Sequence, residues 1–116
     1  MKRIIFSIGL SLVAFLFNSN ASATTLHYET ATFKVYGNCE MCKSRIEKAL
    51  LTNTHIKTAV WDVNTKMLTV TYDPHAITVD QIHQLVADAG HDTDKTKASN
   101  AVYKKLPGCC QYQRKK

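Results

Sequence analysis

The sequence predicts an α+β fold, a ferredoxin-like βαββαβ sandwich with a short C-terminal extension. Two observations predict most of it. Apolar residues alternate in three strand-like segments, and they recur at helical spacing in two others. The third observation is their order: strand, helix, strand, strand, helix, and then a polar segment that we interpret as a fourth strand. This order forms one sheet that is covered on one face by two helices.

The first half of the chain predicts a strand, a helix and a hairpin. Alternating residues form the first strand, which ends at Gly37. From Cys42 the apolar residues change to helical spacing. A second strand is expected over about 56–63 and a third over 68–72, and the short polar connection 64–66 makes them antiparallel neighbours.

The second half carries the clearest helix signals. Thr78 and Gln81 have the spacing of a capping box, and Gly90 stands where a C-terminal cap is expected. Residues 92–98 predict a polar edge strand, and 100–105 predict a short helix. The expected core consists of apolar residues from all these elements: Phe33, Val35, Ile46, Leu50, Val60, Leu68, Val70, Ile82, Leu85 and Val86.

The N-terminus has the features of a secretory signal peptide. A positive start at Lys2 and Arg3 precedes an apolar run over 4–17, and Ala21-Ser22-Ala23 is a small-residue cleavage site. The alternative is an uncleaved membrane anchor, which needs about 20 apolar residues. We therefore expect export without membrane insertion of the mature chain, to the periplasm in a Gram-negative bacterium and otherwise to the medium.

The boundaries that follow are a signal peptide (1–23), a linker (24–29), one domain (30–98) and the C-terminal extension (99–116). The chain has 15 basic and 9 acidic residues, a net charge of +6, and Lys2 and Arg3 of the signal peptide carry two of those charges. Such a mild excess does not predict a nucleic-acid partner. We expect a monomeric single domain.

Cys39 and Cys42 are the strongest candidate site. Cys39 falls in the loop after the first strand and Cys42 opens the first helix, so a three-residue step lets both sulfurs converge. The helix N-terminus, with Lys43 and Arg45, should favour the thiolate form. Two thiolates suit a soft ion such as Cu(I) or Hg(II), and Zn(II), which prefers four ligands, fits less well.

Residues 33–50, FKVYGNCEMCKSRIEKAL, resemble the opening of a heavy-metal-associated domain. The resemblance extends over about 30–97 to a family that includes copper chaperones, N-terminal modules of metal-exporting ATPases and a periplasmic mercury-binding protein. It implies metal binding by Cys39 and Cys42 and transfer by ligand exchange to a metal-transporting membrane protein or another metal acceptor.

The chain departs from the family pattern at two places. The family's Gly-Met-Thr before the first cysteine is replaced by Tyr36-Gly37-Asn38, so Met41 either takes over the packing role of the missing Met or offers a thioether ligand. His91 follows Gly90 where the family commonly has an aromatic residue or Lys. His91 is either an exposed loop residue or a group near the metal.

Cys109 and Cys110 allow several interpretations: a vicinal disulfide, a disulfide to another cysteine, or a metal-related role at the first site or a second one. About ten residues separate Ser99 from this pair. Helical and extended chain together would span roughly 20 Å, enough to return towards Cys39 and Cys42. One or both could therefore supply extra thiolates or a disulfide lock.

A metal carrier without enzymatic activity is the expected function. The alternative is a thiol–disulfide oxidoreductase that uses the same C-x-x-C motif, and a third reading is an interaction module with structural cysteines. Pro74 and Pro107 are the only prolines, and neither is placed beside the motif as thioredoxin-like enzymes require. We expect Trp61 in the sheet, and His27, His55, His75 and His83 in solvent.

Overall fold

Apart from the fourth strand, the chain folds in the predicted order of strands and helices. A computed structural model describes residues 26–115, so the predicted signal peptide lies outside the described residues. Within 26–115 no helix is long and apolar enough to cross a membrane. The elements are β1 (Glu29–Lys34), α1 (Glu40–Leu51), β2 (Ile56–Trp61), β3 (Met67–Tyr72), α2 (Val79–Asp88), α3 (Asn100–Lys104) and a 3₁₀ turn (Gly108–Cys110).

The sheet has the strand order β1-β3-β2, and both pairings are antiparallel. The hairpin predicted between the second and third strands is therefore present. Its turn is held by Asp62, whose Oδ1 accepts hydrogen bonds from the backbone N–H groups of Asn64 at 2.8 Å and Thr65 at 2.9 Å. The ferredoxin-like architecture predicted from the order of elements is confirmed.

The fourth strand is shorter than predicted. Instead of a strand over 92–98, one isolated antiparallel bridge joins Thr93 to Val35 beyond the end of β1. The chain then turns, because the Thr93 N–H donates to the Thr96 carbonyl at 2.8 Å while the Thr93 hydroxyl oxygen accepts from the N–H groups of Lys95 and Thr96. A threonine-based turn thus ends the strand after a single pair.

The core lies between the sheet and α1 and α2. Most of the predicted core residues are buried, with two exceptions: Leu85 is partly buried, and Val60 is 56% exposed. The prediction for Val60 was wrong because β2 has a bulge between Ile56 and Thr58, which shifts the alternation and turns Ala59 and Trp61 inward. Among residues 26–115, the core cluster extends from Phe33 to Tyr112.

Both predicted ends of α2 are confirmed. The Thr78 hydroxyl accepts from the Gln81 N–H at 3.1 Å, and the Gln81 side-chain oxygen accepts from the Thr78 N–H at 2.9 Å. After the helix Gly90 adopts a φ of +105°, a left-handed conformation that favours glycine. A Cβ built at Gly90 would lie 2.8 Å from Leu106, so the extension packs directly on this turn.

The C-terminal extension belongs to the folded unit. Ser99 caps α3, its hydroxyl accepting from the Val102 N–H at 3.2 Å. Beyond α3, Leu106, Cys110 and Tyr112 are all buried and belong to the main core. The extension therefore runs back across the domain instead of leaving it.

Candidate metal site

The C-x-x-C motif spans the start of α1. Cys39 is the N-cap residue, with extended backbone angles, and Cys42 lies buried in the first helical turn. Their sulfurs are 3.5 Å apart. The Asn38 N–H also points at the Cys42 sulfur, at 3.3 Å. The loop before α1 thus brings both sulfurs together, as the three-residue spacing predicted.

The helix N-terminus acts on Cys39 as expected. The backbone N–H of Cys42 is the main cause that lowers the pKa of Cys39 to about 7, and the nearby Cys42 side chain adds to it. Lys43 does not point at the sulfurs. Its ammonium pairs with Glu47 and donates to the Trp61 carbonyl at 3.1 Å. Backbone N–H groups, rather than the neighbouring lysine, therefore favour the thiolate.

Trp61 packs beneath the loop that carries Cys39. Its ring is fully buried, and its indole N–H donates to the carbonyls of Val35 at 3.0 Å and Lys66 at 3.2 Å. A Cβ built at Gly37 would lie 3.0 Å from this ring and 3.1 Å from the Cβ of Cys42. Sequence reasoning placed Trp61 in the sheet correctly but missed its contact with the loop.

Met41 does not fill the space beneath the loop. Its side chain is 50% exposed, and its sulfur lies 3.6 Å from the sulfur of Cys109. The packing role considered for Met41 is therefore taken by Trp61, and Met41 stands at the surface beside the C-terminal cysteine pair.

Cys110 joins the first two cysteines. The sulfurs of Cys39, Cys42 and Cys110 all lie within 4.8 Å of one another, and Cys110 is fully buried. Burial is the main cause that raises the pKa of Cys110, and the neighbouring Cys42 adds to it. Cys109 is exposed and its sulfur lies outside this cluster. All four cysteines are free thiols in the structure.

His91 lies near the loop but is not in the sulfur cluster. It is fully buried, its Nδ1–H donates to the Tyr36 carbonyl at 2.7 Å, and its ring stacks on Tyr112. Its Nε2 is buried with no hydrogen-bond partner among the described residues. Burial lowers the pKa of His91. The expectation of an exposed loop residue was wrong, and the buried ring instead joins the cysteine loop to the extension.

His83 was also expected in solvent, and that prediction was wrong. Its side chain is buried and stacks on Phe33 at a centroid distance of 3.8 Å. Its Nδ1 lies 2.6 Å from the hydroxyl of Thr93. Since the lone pairs of that hydroxyl already accept from two N–H groups, the O–H donates to Nδ1. His83 is therefore a neutral core residue.

Part of the folded domain matches a known protein family. The family model described as "Heavy-metal-associated domain" matches residues 32–92, more than half of the 116-residue chain. The matched segment holds Cys39 and Cys42, whereas the C-terminal extension lies beyond it. No curated protein matches the chain.

Three solved structures of similar fold illustrate the likeness. The CopZ metallochaperone is 27% identical with a TM-score of 0.54, over 56% of this chain and 98% of its own. Oxidised MerP from Ralstonia metallidurans CH34 is 25% identical with a TM-score of 0.55, over 59% and 96%. The N-terminal domain of a potential copper-translocating P-type ATPase from Bacillus subtilis, in the Cu(I)-loaded state, is 28% identical with a TM-score of 0.55, over 58% and 85%.

Proposed function

This chain belongs to the heavy-metal-associated domain family, and from that membership we propose that it carries a soft metal ion, Cu(I) or Hg(II). The features of a signal peptide at its N-terminus support the further proposal that the protein is exported. Cys39 and Cys42 are the proposed ligands. The proposal extends to transfer of the ion to a metal-transporting membrane protein or another acceptor. Two of the similar structures support this role, since one is a metallochaperone and the other is the Cu(I)-loaded domain of a potential copper-translocating ATPase.

One observation carries the proposal: the sulfurs of Cys39 and Cys42 are 3.5 Å apart at a helix N-terminus. Soft d¹⁰ ions prefer thiolate ligands. A Cys39 pKa near 7 keeps a large fraction of that group ionised at neutral pH. Cys39 therefore offers a thiolate at a small cost of deprotonation, with the second sulfur 3.5 Å away.

Transfer by ligand exchange needs no redox step. A thiolate of the acceptor forms a new metal–sulfur bond while one bond to Cys39 or Cys42 breaks, and the displaced thiolate takes a proton from water. Repetition at the second sulfur completes the transfer, and the oxidation state of the ion does not change. Cys39 is the half-buried member of the pair, so it is the first sulfur that an acceptor can reach.

The binding test uses reduced protein that begins at Thr24, titrated with Cu(I) or Hg(II) in the presence of a competing chelator. We expect one ion per domain and loss of tight binding in the double variant Cys39→Ser/Cys42→Ser. Zn(II) should bind less tightly, since two thiolates leave half of its preferred tetrahedron empty. Equal affinity of parent and double variant would contradict the assignment. An insulin-reduction assay on the same samples tests the oxidoreductase alternative.

Export is tested separately. We expect the mature chain to begin at Thr24, because Ala21-Ser22-Ala23 forms the cleavage site. Intact mass of the protein recovered outside the cytoplasm measures this directly. Retention of residues 1–23 in that fraction would favour the uncleaved anchor, and replacement of Ala23 by Asp should block cleavage.

A further inference from the structure

The third sulfur of the cluster comes from outside the family's matched segment. Cys110 lies in the 3₁₀ turn of the C-terminal extension, and the family match ends at residue 92. Its sulfur is nonetheless within 4.8 Å of both Cys39 and Cys42. Cys110 is buried and forms no disulfide, so its sulfur is placed to bind the same metal ion as Cys39 and Cys42.

The spacing of the sulfurs fits three ligands better than two. With a metal–sulfur bond of about 2.3 Å, sulfurs lie about 4.6 Å apart in a linear arrangement and about 4.0 Å apart in a trigonal one. Cys39 and Cys42 are 3.5 Å apart, already closer than a linear ion requires. The cluster would need only a small adjustment to surround one ion in a plane.

The backbone of the extension contacts the loop that carries Cys39. The Cys109 carbonyl accepts from the Asn38 side chain at 3.4 Å and faces the Cys39 sulfur at 3.5 Å. The Cys110 N–H donates to the Pro107 carbonyl at 2.8 Å, which closes the turn. This turn directs the Cys110 side chain inward and leaves the Cys109 side chain at the surface.

The rest of the extension is fastened to the domain. The Tyr112 hydroxyl donates to the Gly90 carbonyl at 2.9 Å and accepts from the Asp92 N–H at 2.8 Å. Arg114 pairs with the buried carboxylate of Asp92. Because these contacts order the segment before any ion arrives, Cys110 can bind without ordering a free tail at that moment.

We infer that Cys110 is a third thiolate ligand, so that the protein holds its ion in a three-sulfur site closed by the C-terminal extension. This inference rests on the proposed function. Each ligating thiol exchanges its S–H bond for a metal–sulfur bond and gives the proton to water. A third bond slows release, because an acceptor must displace three sulfurs, of which two, those of Cys42 and Cys110, are buried. The protein is thereby adapted to retention as well as transfer.

The test compares two adjacent substitutions, Cys110→Ser and Cys109→Ser. Reduced protein beginning at Thr24 is loaded with one equivalent of Hg(II), X-ray absorption counts the sulfurs around the ion, and native mass spectrometry verifies one ion per monomer. We expect three sulfurs in the parent and in Cys109→Ser. We expect two in Cys110→Ser, with release to a chelator faster on the order of tenfold. Cys110→Ala, with Trp61 emission as a folding check, repeats the measurement without a hydroxyl.

The outcomes separate the two proposals. Two sulfurs in the parent, with binding still lost in Cys39→Ser/Cys42→Ser, would overturn the third ligand and leave the proposed function intact. Three sulfurs retained in folded Cys110→Ser, or a loss caused by Cys109→Ser instead, would also overturn it. A parent that binds no Hg(II) would overturn both.

Discussion

Arg114 and Asp92 form a two-point ion pair that holds the C-terminal extension against the turn after α2. The Arg114 Nε lies 2.9 Å from Asp92 Oδ2, and one terminal nitrogen lies 2.8 Å from Oδ1. The carboxylate is only 3% exposed. Burial alone would raise the pKa of Asp92, but the hydrogen bonds from Arg114 and from the Ala98 N–H hold it below its usual value. Arg114 and Asp92 therefore form an ion pair that joins the extension to the turn after α2.

Replacement of Arg114 by Met should loosen the extension. It removes the partner of a buried carboxylate, which costs about 2–3 kcal/mol of unfolding free energy. Hydrogen exchange in 106–115 should quicken more than in α2, because the lost contacts belong to the extension. Lys105→Met removes a charge from an exposed position of the same extension and is the control. Equal stability and equal exchange in the two variants would show that the pair contributes nothing.

Gly37 gives a second prediction, on the loop that carries Cys39. Gly37→Ala should lower the unfolding free energy by roughly 1–3 kcal/mol, since the new methyl group overpacks Trp61 and Cys42. Metal affinity should fall with it, because the loop must shift. Chemical denaturation followed by emission of Trp61, the only tryptophan, measures the change.

Gly108→Ala is the matched control for that substitution. Nothing lies within 4 Å of a Cβ built at Gly108, although it stands beside the cysteine pair. We expect stability unchanged or raised by less than about 1 kcal/mol. If Gly37→Ala behaved like Gly108→Ala, the contact between the loop and Trp61 would not restrain the site.

Local pattern predicted most of the fold. Hydrophobic periodicity located both long helices, and the capping box fixed the start of α2 at Thr78. Two errors arose where a local irregularity decides the outcome. The bulge in β2 turned Val60 outward, and the turn around Thr93 reduced the fourth strand to one bridge. Neither a bulge nor a side-chain-capped turn changes the alternation of residue types enough to be seen in one sequence.

Only the part of the site that depends on residues close in sequence could be predicted. Cys39 and Cys42 are three residues apart at a helix start, so their approach follows from the spacing. The approach of Cys110 depends on contacts across the domain, such as that between Arg114 and Asp92. The length of the extension showed only that Cys110 could reach the other two cysteines. Which of the two adjacent cysteines points inward depends on the 3₁₀ turn, which has no clear sequence signal.

The buried His83 predicts a loss of stability in mild acid. Burial is the main cause that lowers its pKa, with Lys95 acting in the same direction and Asp94 against it. The unfolded chain binds a proton at His83 as pH falls through about 6.5, whereas the folded protein binds it only at lower pH. Between those values the unfolded state holds more protons, so stability falls as pH falls.

His83→Gln should flatten this dependence while keeping a polar partner for Thr93. Unfolding free energy measured from pH 7.5 to 5 should decline less in the variant than in the parent. His75→Gln, at an exposed position, should decline as the parent does. Parallel curves for the parent and His83→Gln would mean that His83 is protonated equally in both states. His91 is also buried, so it contributes to the remaining dependence of unfolding free energy on pH in every sample.

Cys39 should be the more reactive thiol of the metal-free cluster. The Cys42 N–H lowers its pKa to about 7, whereas burial raises the pKa of Cys110. Because the thiolate is the nucleophile, alkylation of Cys39 by iodoacetamide should follow a titration curve with a midpoint near 7. Cys110 should stay unmodified over the same time, and peptide mapping by mass spectrometry separates the two sites.

Two controls decide whether the fold produces that reactivity. In urea-denatured protein the Cys39 midpoint should return to about 8.5, the value of a free cysteine. In folded protein loaded with one equivalent of Hg(II), Cys39 should be protected, because its sulfur is bound. A folded midpoint equal to the denatured one would mean that the start of α1 does not stabilise the thiolate. Cys39 would then bind metal only at the full cost of deprotonating an ordinary thiol.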